Sequence, residues 1–200
     1  LLIFGFVCNL LMGTSLHTAQ RTGKVKLFSN GLAWLSFWCW QLVILGMLIT
    51  LPLGFTTTKE YAEAEWPIDI LFAFSWIIYG IVFFGTVVKR KVHHIFVSNW
   101  FFGAVILVIG TVFILNNLEL PVSLFKSYSL YGGAEDAIMQ WWWGHNAVGF
   151  LLTAGFIGMN YYMFPKIGRA PIYSYGLSVL NFWGIVGFYT WAGTHHLQYS

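Results

Sequence analysis

Three histidines carry the chemistry most open to this chain. His145 lies in WWWGHNAVGF, and the adjacent pair His195–His196 lies in YTWAGTHHLQYS, each within a strongly apolar stretch. An imidazole deep in an apolar membrane segment is costly unless its ring nitrogens bond something, which marks it as a functional residue. Three imidazoles from two neighbouring helices can hold one transition metal. For His145 taken alone, a core histidine bonded to a neighbouring carbonyl explains the residue equally well. A His pair at similar depth tips the reading to metal ligation.

The elements that must position them are membrane spans. The chain has 200 residues, 58% hydrophobic and 8% charged, with 20% aromatic residues and a formal net charge of +3. Mean hydropathy is +0.70, and a soluble domain is nearer one quarter charged. Apolar runs of about 20 residues cross a bilayer as helices. The fold class is all-α, a polytopic transmembrane helix bundle, with residues 1–200 forming part of a single domain. Six segments are expected, at Leu1–Leu16, Gly31–Phe55, Pro67–Val88, Ile95–Leu115, Ala137–Phe164 and Ile172–Thr194. The first begins mid-run at Leu1 and reads as truncated, so the chain is expected to be an internal fragment of a longer protein. The stretch from Asn116 to Asp136, with Pro121 and Gly132–Gly133, is expected to be a surface loop with a short interfacial turn. Cys8 and Cys39 have no CxxC spacing and read as small core residues. No nucleic-acid signature is present.

Charge orients the segments. Arg21, Lys24 and Lys26, then Lys89, Arg90 and Lys91, then Lys166 and Arg169 follow alternate segments, and these are eight of the ten basic residues. The positive-inside rule makes that side cytoplasmic. Glu60, Glu63, Glu65, Asp69, Glu119, Glu135 and Asp136 fall opposite. His145 then lies about 12 Å below the outer end of segment five, and His195–His196 lie at the outer end of segment six. His93 and His94 follow the basic Lys89–Lys91 run and read as interfacial loop residues, as does His17. On segment six, Tyr175, Ser178, Tyr189 and His196 fall within about 60° of one another and rise about 32 Å. Such a stripe passes protons if water fills its gaps, the widest being about 16 Å between Ser178 and Tyr189. Tyrosines at helix ends also serve as interfacial anchors, which suits Tyr175 and suits Tyr189 poorly. Trp141–Trp143 read equally as an aromatic belt or as the wall of a cofactor pocket.

GAEDAIMQWWWGHNAVGFLLTAGFIGMNYYMFPK, APIYSYGLSVLNFW and YTWAGTHHLQY, with WQLVILGMLITLPLGFTTTKEYAEAEWPIDIL and VVFFGTVVKRKVHHIFVSNWFFGA upstream, resemble the catalytic subunit I of cbb3-type cytochrome c oxidases, the C-type haem–copper oxidases. The resemblance covers essentially the whole chain and would place it on helices two to seven of a twelve-helix subunit. It implies that His145, His195 and His196 ligate the copper called copper B. It implies too that Tyr189 is the tyrosine covalently linked to His145, and that Tyr175 and Ser178 belong to the proton-uptake path. Glu60 would match an acid near a calcium ion and the haem propionates. The axial ligands of the low-spin and high-spin haems b are expected outside this stretch, so the fragment alone is not expected to be active. Thr194 departs from the proline the family often has before the His pair. The implied activity is reduction of dioxygen to water at a haem b–copper centre, with proton translocation, in the bacterial cytoplasmic (inner) membrane. Its copper site would face the periplasm, and membrane lipid, c-type cytochrome subunits and a soluble or membrane cytochrome c donor are the implied partners.

Three alternatives are weaker. A bacterial nitric oxide reductase resembles this subunit but carries an acid four residues after the first histidine, where Gly149 stands, and lacks the tyrosine that Tyr189 supplies. A metal or proton transporter would want carboxylates, and none lies within segments four to six. A bis-His haem carrier fails because adjacent helical residues point about 100° apart.

Overall fold

The computed structural model describes residues 2–197. Leu1, which starts the first expected segment, lies outside them, as does Ser200. The chain is a bundle of helices: α1 (Asn9–Gly23), α2 (Asn30–Thr50), α3 (Trp66–Val88), α4 (Val97–Asn116), α5 (Ala134–His145), α6 (Leu151–Gly168) and α7 (Tyr175–Phe188). Leu2–Cys8 runs into α1 as a π-helix, Asn146–Phe150 joins α5 to α6 as another, and Tyr189–His196 extends α7 as a 3-10 helix. Five continuous helical stretches are long and apolar enough to cross a membrane: Leu2–Gly23, Asn30–Thr50, Trp66–Val88, Val97–Asn116 and Ala134–Gly168. The sixth expected segment is α7 with its 3-10 extension, together about 37 Å long, enough to span a core of about 30 Å.

The ends of these helices follow from local chemistry. The Ser29 and Ser174 hydroxyls each accept the third backbone N–H of their helix, Leu32 and Leu177, at 3.2 Å, satisfying donors that have no intrahelical partner. Pro67 sits at the start of α3, where its missing N–H costs nothing. Lys24 and Arg169 close α1 and α6 in the left-handed conformation. The first span reaches Gly23 rather than Leu16 and is a full 22 residues long. Arg21 and His17 therefore lie on the helix rather than after it.

The core is aromatic and sits among α1, α2, α3, α4 and α6. Trp40, Phe72, Trp76, Phe83, Phe101, Phe102 and Phe113 are all buried there. Helices meet through small and polar side chains: Ser36 and Ser75 donate to each other's backbone carbonyls at 3.0 and 2.9 Å, tying α2 to α3. Bonds of this kind stabilise membrane helix pairs by about 0.6 kcal/mol each. Trp34, Trp38, Leu42 and Ile49 on α2 are exposed, as expected of a face turned to lipid.

One expected loop is an ordered hairpin. β1 (Glu119–Ser123) pairs antiparallel with β2 (Lys126–Ser129) within the Asn116–Asp136 stretch. Trp66 Nε1 donates to the Ser123 carbonyl at 2.9 Å, and Phe55 stacks on Phe125, fastening the hairpin over the start of α3.

Candidate metal centre

His145 closes α5 and is 4% exposed. His195 and His196 close the 3-10 helix. One ligand nitrogen from each of the three lies within 4.8 Å of the other two, and among the described residues no other group of histidines, cysteines and acids gathers closely enough to hold an ion. The ring centroids stand 4.9 Å (His145–His195), 5.6 Å (His145–His196) and 4.1 Å (His195–His196) apart. The convergence expected from depth along two helices is present.

The route to it differs from a straight α-helix, and side chains of α5 supply the reason. Thr190's carbonyl accepts from Trp142 Nε1 at 3.2 Å and from Asn146 Nδ2 at 2.8 Å; Tyr189's accepts from His145 Nε2 at 3.0 Å. Carbonyls drawn towards α5 are poor acceptors for the next α-turn, and the chain tightens to 3-10 geometry. Gly193 permits this approach: a Cβ there would run into the Trp141 carbonyl. The same logic explains the π-turn after His145. Asn146 Nδ2 also takes the Trp142 carbonyl at 2.7 Å, and the Leu151 N–H reaches the Asn146 carbonyl five residues back.

The hydrogen bonds also leave particular nitrogens free for a metal. A carbonyl only accepts, so His145 Nε2 carries the proton towards Tyr189 and leaves Nδ1 free for a metal. His195 Nδ1 donates to the Ala192 carbonyl, which frees its Nε2. Three neutral imidazoles without a carboxylate suit copper or another imidazole-binding transition ion, not a hard oxygen-seeking cation. The donor set fits copper.

Each tryptophan of the triplet has its own place. Trp141 stacks on His196, with centroids 4.5 Å apart and planes 14° apart. Trp142 stacks on Trp191, and Trp143 is fully buried against Phe113 with its Nε1 on the Tyr61 carbonyl at 3.2 Å. They wall the site rather than forming a simple belt. Tyr189 presents its ring edge-on to His145, centroids 4.8 Å apart. A Cβ at Gly149 would lie 3.2 Å from the Tyr189 hydroxyl and 3.3 Å from the His145 ring.

The remaining expected residues are placed as follows. Ser178 is buried, but its hydroxyl donates to the Tyr175 backbone carbonyl at 2.6 Å; Tyr175 itself is 55% exposed, its ring edge against Trp100. The Ser178 hydroxyl is thus turned back onto its own helix, and above Phe188 the 3-10 turn changes the rotation per residue on which the stripe depends. Ser178 instead lines a cavity of about 510 Å³ with Asn160, Tyr161 and Ser174. Glu60 is exposed, its carbonyl accepting from Gln140 at 2.8 Å. His93 and His94 are exposed in the turn after α3, and His17 is exposed on α1, its ring edge facing Tyr162. Asn146 is the site residue the motif reading passed over; it is fully buried and clamps α5 to the 3-10 helix. Its place next to His145 in GHN was the available signal.

Comparison with known proteins gives the family. The sequence profile described as cytochrome c and quinol oxidase polypeptide I matches residues 1–200. The chain is 58% identical over 198 residues to a protein named cbb3-type cytochrome c oxidase subunit CcoN1 from Stutzerimonas stutzeri, covering 99% of this chain and 42% of that protein. It is 49% identical over 201 residues to cytochrome c oxidase subunit 1 of Rhodobacter capsulatus, covering 99% and 38%. A third relative, a cytochrome c oxidase subunit 1 homolog of Agrobacterium tumefaciens, is 46% identical over 200 residues, covering 99% and 37%. The chain spans about two fifths of the length of these curated relatives. With its three convergent histidines and a profile match from end to end, the chain belongs to the cytochrome c and quinol oxidase polypeptide I family.

Proposed function

We propose that this chain forms part of the catalytic subunit of a cbb3-type cytochrome c oxidase, which reduces dioxygen to water and couples this to proton translocation. The observation that carries the reading is the set of three imidazole nitrogens within 4.8 Å, with the Tyr189 ring edge-on to one of them. His145, through Nδ1, and His195, through Nε2, would hold copper B together with His196. When bound, copper and the two haems b supply the electrons that reduce dioxygen.

The chain's own residues orient and protonate. The Tyr189 carbonyl fixes the His145 ring, and Trp141 fixes that of His196 by stacking. Trp142, stacked on Trp191, and Trp143, packed against Phe113, brace the helix end that carries His145. The Tyr189 hydroxyl, beside the His145 ring, is placed to give a proton and an electron to the reaction. Protons would approach from the basic end through the cavity lined by Ser174 and Ser178, and the Ser178 hydroxyl would turn from the Tyr175 carbonyl to pass one on. Glu60 offers an exposed carboxylate whose charge reaches His196, and belongs to a calcium region in this reading. The complex would sit in the bacterial inner membrane with copper towards the periplasm, among lipid and c-type cytochrome subunits, and take electrons from a cytochrome c. Gly149 weighs against nitric oxide reduction, since a side chain there would displace Tyr189.

The test is peptide mass spectrometry on the parent oxidase, purified with its haems and copper. The reading expects the His145 peptide joined through Nε2, which then gives up its bond to the Tyr189 carbonyl, to the Tyr189 ring. The product is lighter than the sum by two hydrogens, the Nε2–H and one ring C–H, removed with two electrons by dioxygen. Unlinked peptides in a fully loaded sample would remove Tyr189 from the redox chemistry.

A further inference from the structure

On the acid-bearing end of the molecule, Ser127 Oγ lies 2.6 Å from Glu65 Oε2 and 2.5 Å from Glu119 Oε2. Ser127 comes from β2, Glu65 from the residue preceding α3, and Glu119 from β1. Two hydrogen bonds require two hydrogens, and a serine hydroxyl supplies one while accepting through its lone pairs. Two ionised carboxylates only accept. The second hydrogen must therefore sit on a carboxyl that donates to the serine oxygen.

We propose that Glu65, Ser127 and Glu119 form a proton-binding site that holds one proton between two carboxyls at neutral pH. Burial supports it: Glu65 is 1% exposed and Ser127 4%, and an anion buried at Glu65 against a second one on Glu119 would be costly. Burial also raises the Glu119 carboxyl above its ordinary range.

An independent feature gives the proton somewhere to go. Asp69 lies one turn beyond Glu65 on α3, is 7% exposed, and its Oδ2 has no hydrogen-bond partner. It faces a cavity of about 250 Å³ whose wall also includes Glu119 and Asn117. A cavity of that size has room for several waters, at about 30 Å³ each, and Asp69, Asn117 and Glu119 are the polar groups on its wall. The part-exposed Glu119 is the surface end of the site and Glu65 its buried end. The charged groups facing the pair are Lys59 from the α2–α3 connection, Asp69 from α3 and Lys126 from β2. Lys59 is itself committed, its ammonium donating to the Asn116 carbonyl and pairing with Asp136 of α5 at 3.6 Å. It does not replace the missing hydrogen. Nor is a metal ion implied, since these acids are not gathered as a metal-binding group among the described residues.

The experiment is infrared spectroscopy of the full-length oxidase in the carboxylic acid C=O stretching region, wild type against E119Q and S127A. It reads the resting protein and is independent of the copper assignment. The expected result is one carboxylic acid band at neutral pH that shifts in heavy water, vanishes in alkaline medium and is missing from E119Q. Glutamine reproduces the neutral, donating form of the acid, so this variant should assemble. In S127A the band should move, having lost its hydroxyl partner. A band kept in E119Q would put the proton on Glu65, where E65Q should remove it; a carboxylic region unchanged in both glutamine variants would overturn the site. Should E119Q not assemble, S127A carries the test: a shifted band supports the site and an unchanged one overturns it.

Discussion

The hydroxyl oxygen of Tyr189 would stand 3.2 Å from a Cβ placed on Gly149, so these two positions compete for one volume beside His145. A contact that short makes neighbours give by a few tenths of an ångström, and overpacking of this kind costs about 1–3 kcal/mol. Gly149→Ala in the parent oxidase is expected to tilt Tyr189 away from His145. The measurable outcome is a lower fraction of joined His145–Tyr189 peptide and a parallel fall in oxidase turnover. An unchanged fraction would show that the tyrosine tolerates the intrusion.

Asn146 holds the two halves of the site together by donating to the Trp142 and Thr190 carbonyls at 2.7 and 2.8 Å. Asn146→Ala removes both bonds in a fully buried position, a loss of about 1–3 kcal/mol. Partners behind metal ligands change affinity by about 10–100-fold, so copper content relative to haem should fall while haem content holds. Asn146→Asp should do the same, since a carboxylate cannot donate to a carbonyl. Normal copper content in both variants would reduce Asn146 to a packing residue.

The spans and the histidine set were legible in the sequence because each depends on residues close in the chain or on simple alternation of sides. Hydropathy marks a run of about 20 residues whatever its neighbours, and alternate basic ends put His145 and His195–His196 at one depth. The 3-10 turn of Tyr189–His196 was not legible, because its cause lies some 45 residues away in the donors of Trp142, His145 and Asn146. The β1–β2 hairpin escaped for another reason: its tip, Leu124–Phe125, has none of the glycine or asparagine that marks a tight turn. Charge alternation assigns the acids of the 60–69 stretch only to a side of the membrane, yet Glu65 and Asp69, with Lys59, are buried. Only the packing of the hairpin over α3 hides them.

Gly193 gives a sharper steric test than Gly149, because its neighbour is backbone. A Cβ there would collide with the Trp141 carbonyl and approach the Trp142 Cα at 3.0 Å. Backbone cannot swing aside as a side chain can. Gly193→Ala should lift the whole 3-10 helix off α5, carrying His195 and His196 out of reach of His145. Metal analysis should then find copper lost about as fully as in His195→Ala, although no ligand was altered. Copper retained at the wild-type level would mean that the two segments approach less closely than described.

Glu119 predicts the direction of a pH effect. Burial raises its carboxyl in the folded protein, so the folded state binds the proton more tightly than the unfolded chain. Its contribution is therefore fully present below the unfolded value near 4.3 and is lost as pH rises through the folded one. Wild-type oxidase should lose thermal stability across that window more steeply than Glu119→Gln, which has no proton to lose. The check is the unfolding midpoint of both proteins in detergent at a series of pH values. Parallel curves would place the Glu119 proton in the unfolded chain's ordinary range and leave the Ser127 bridge without its second hydrogen.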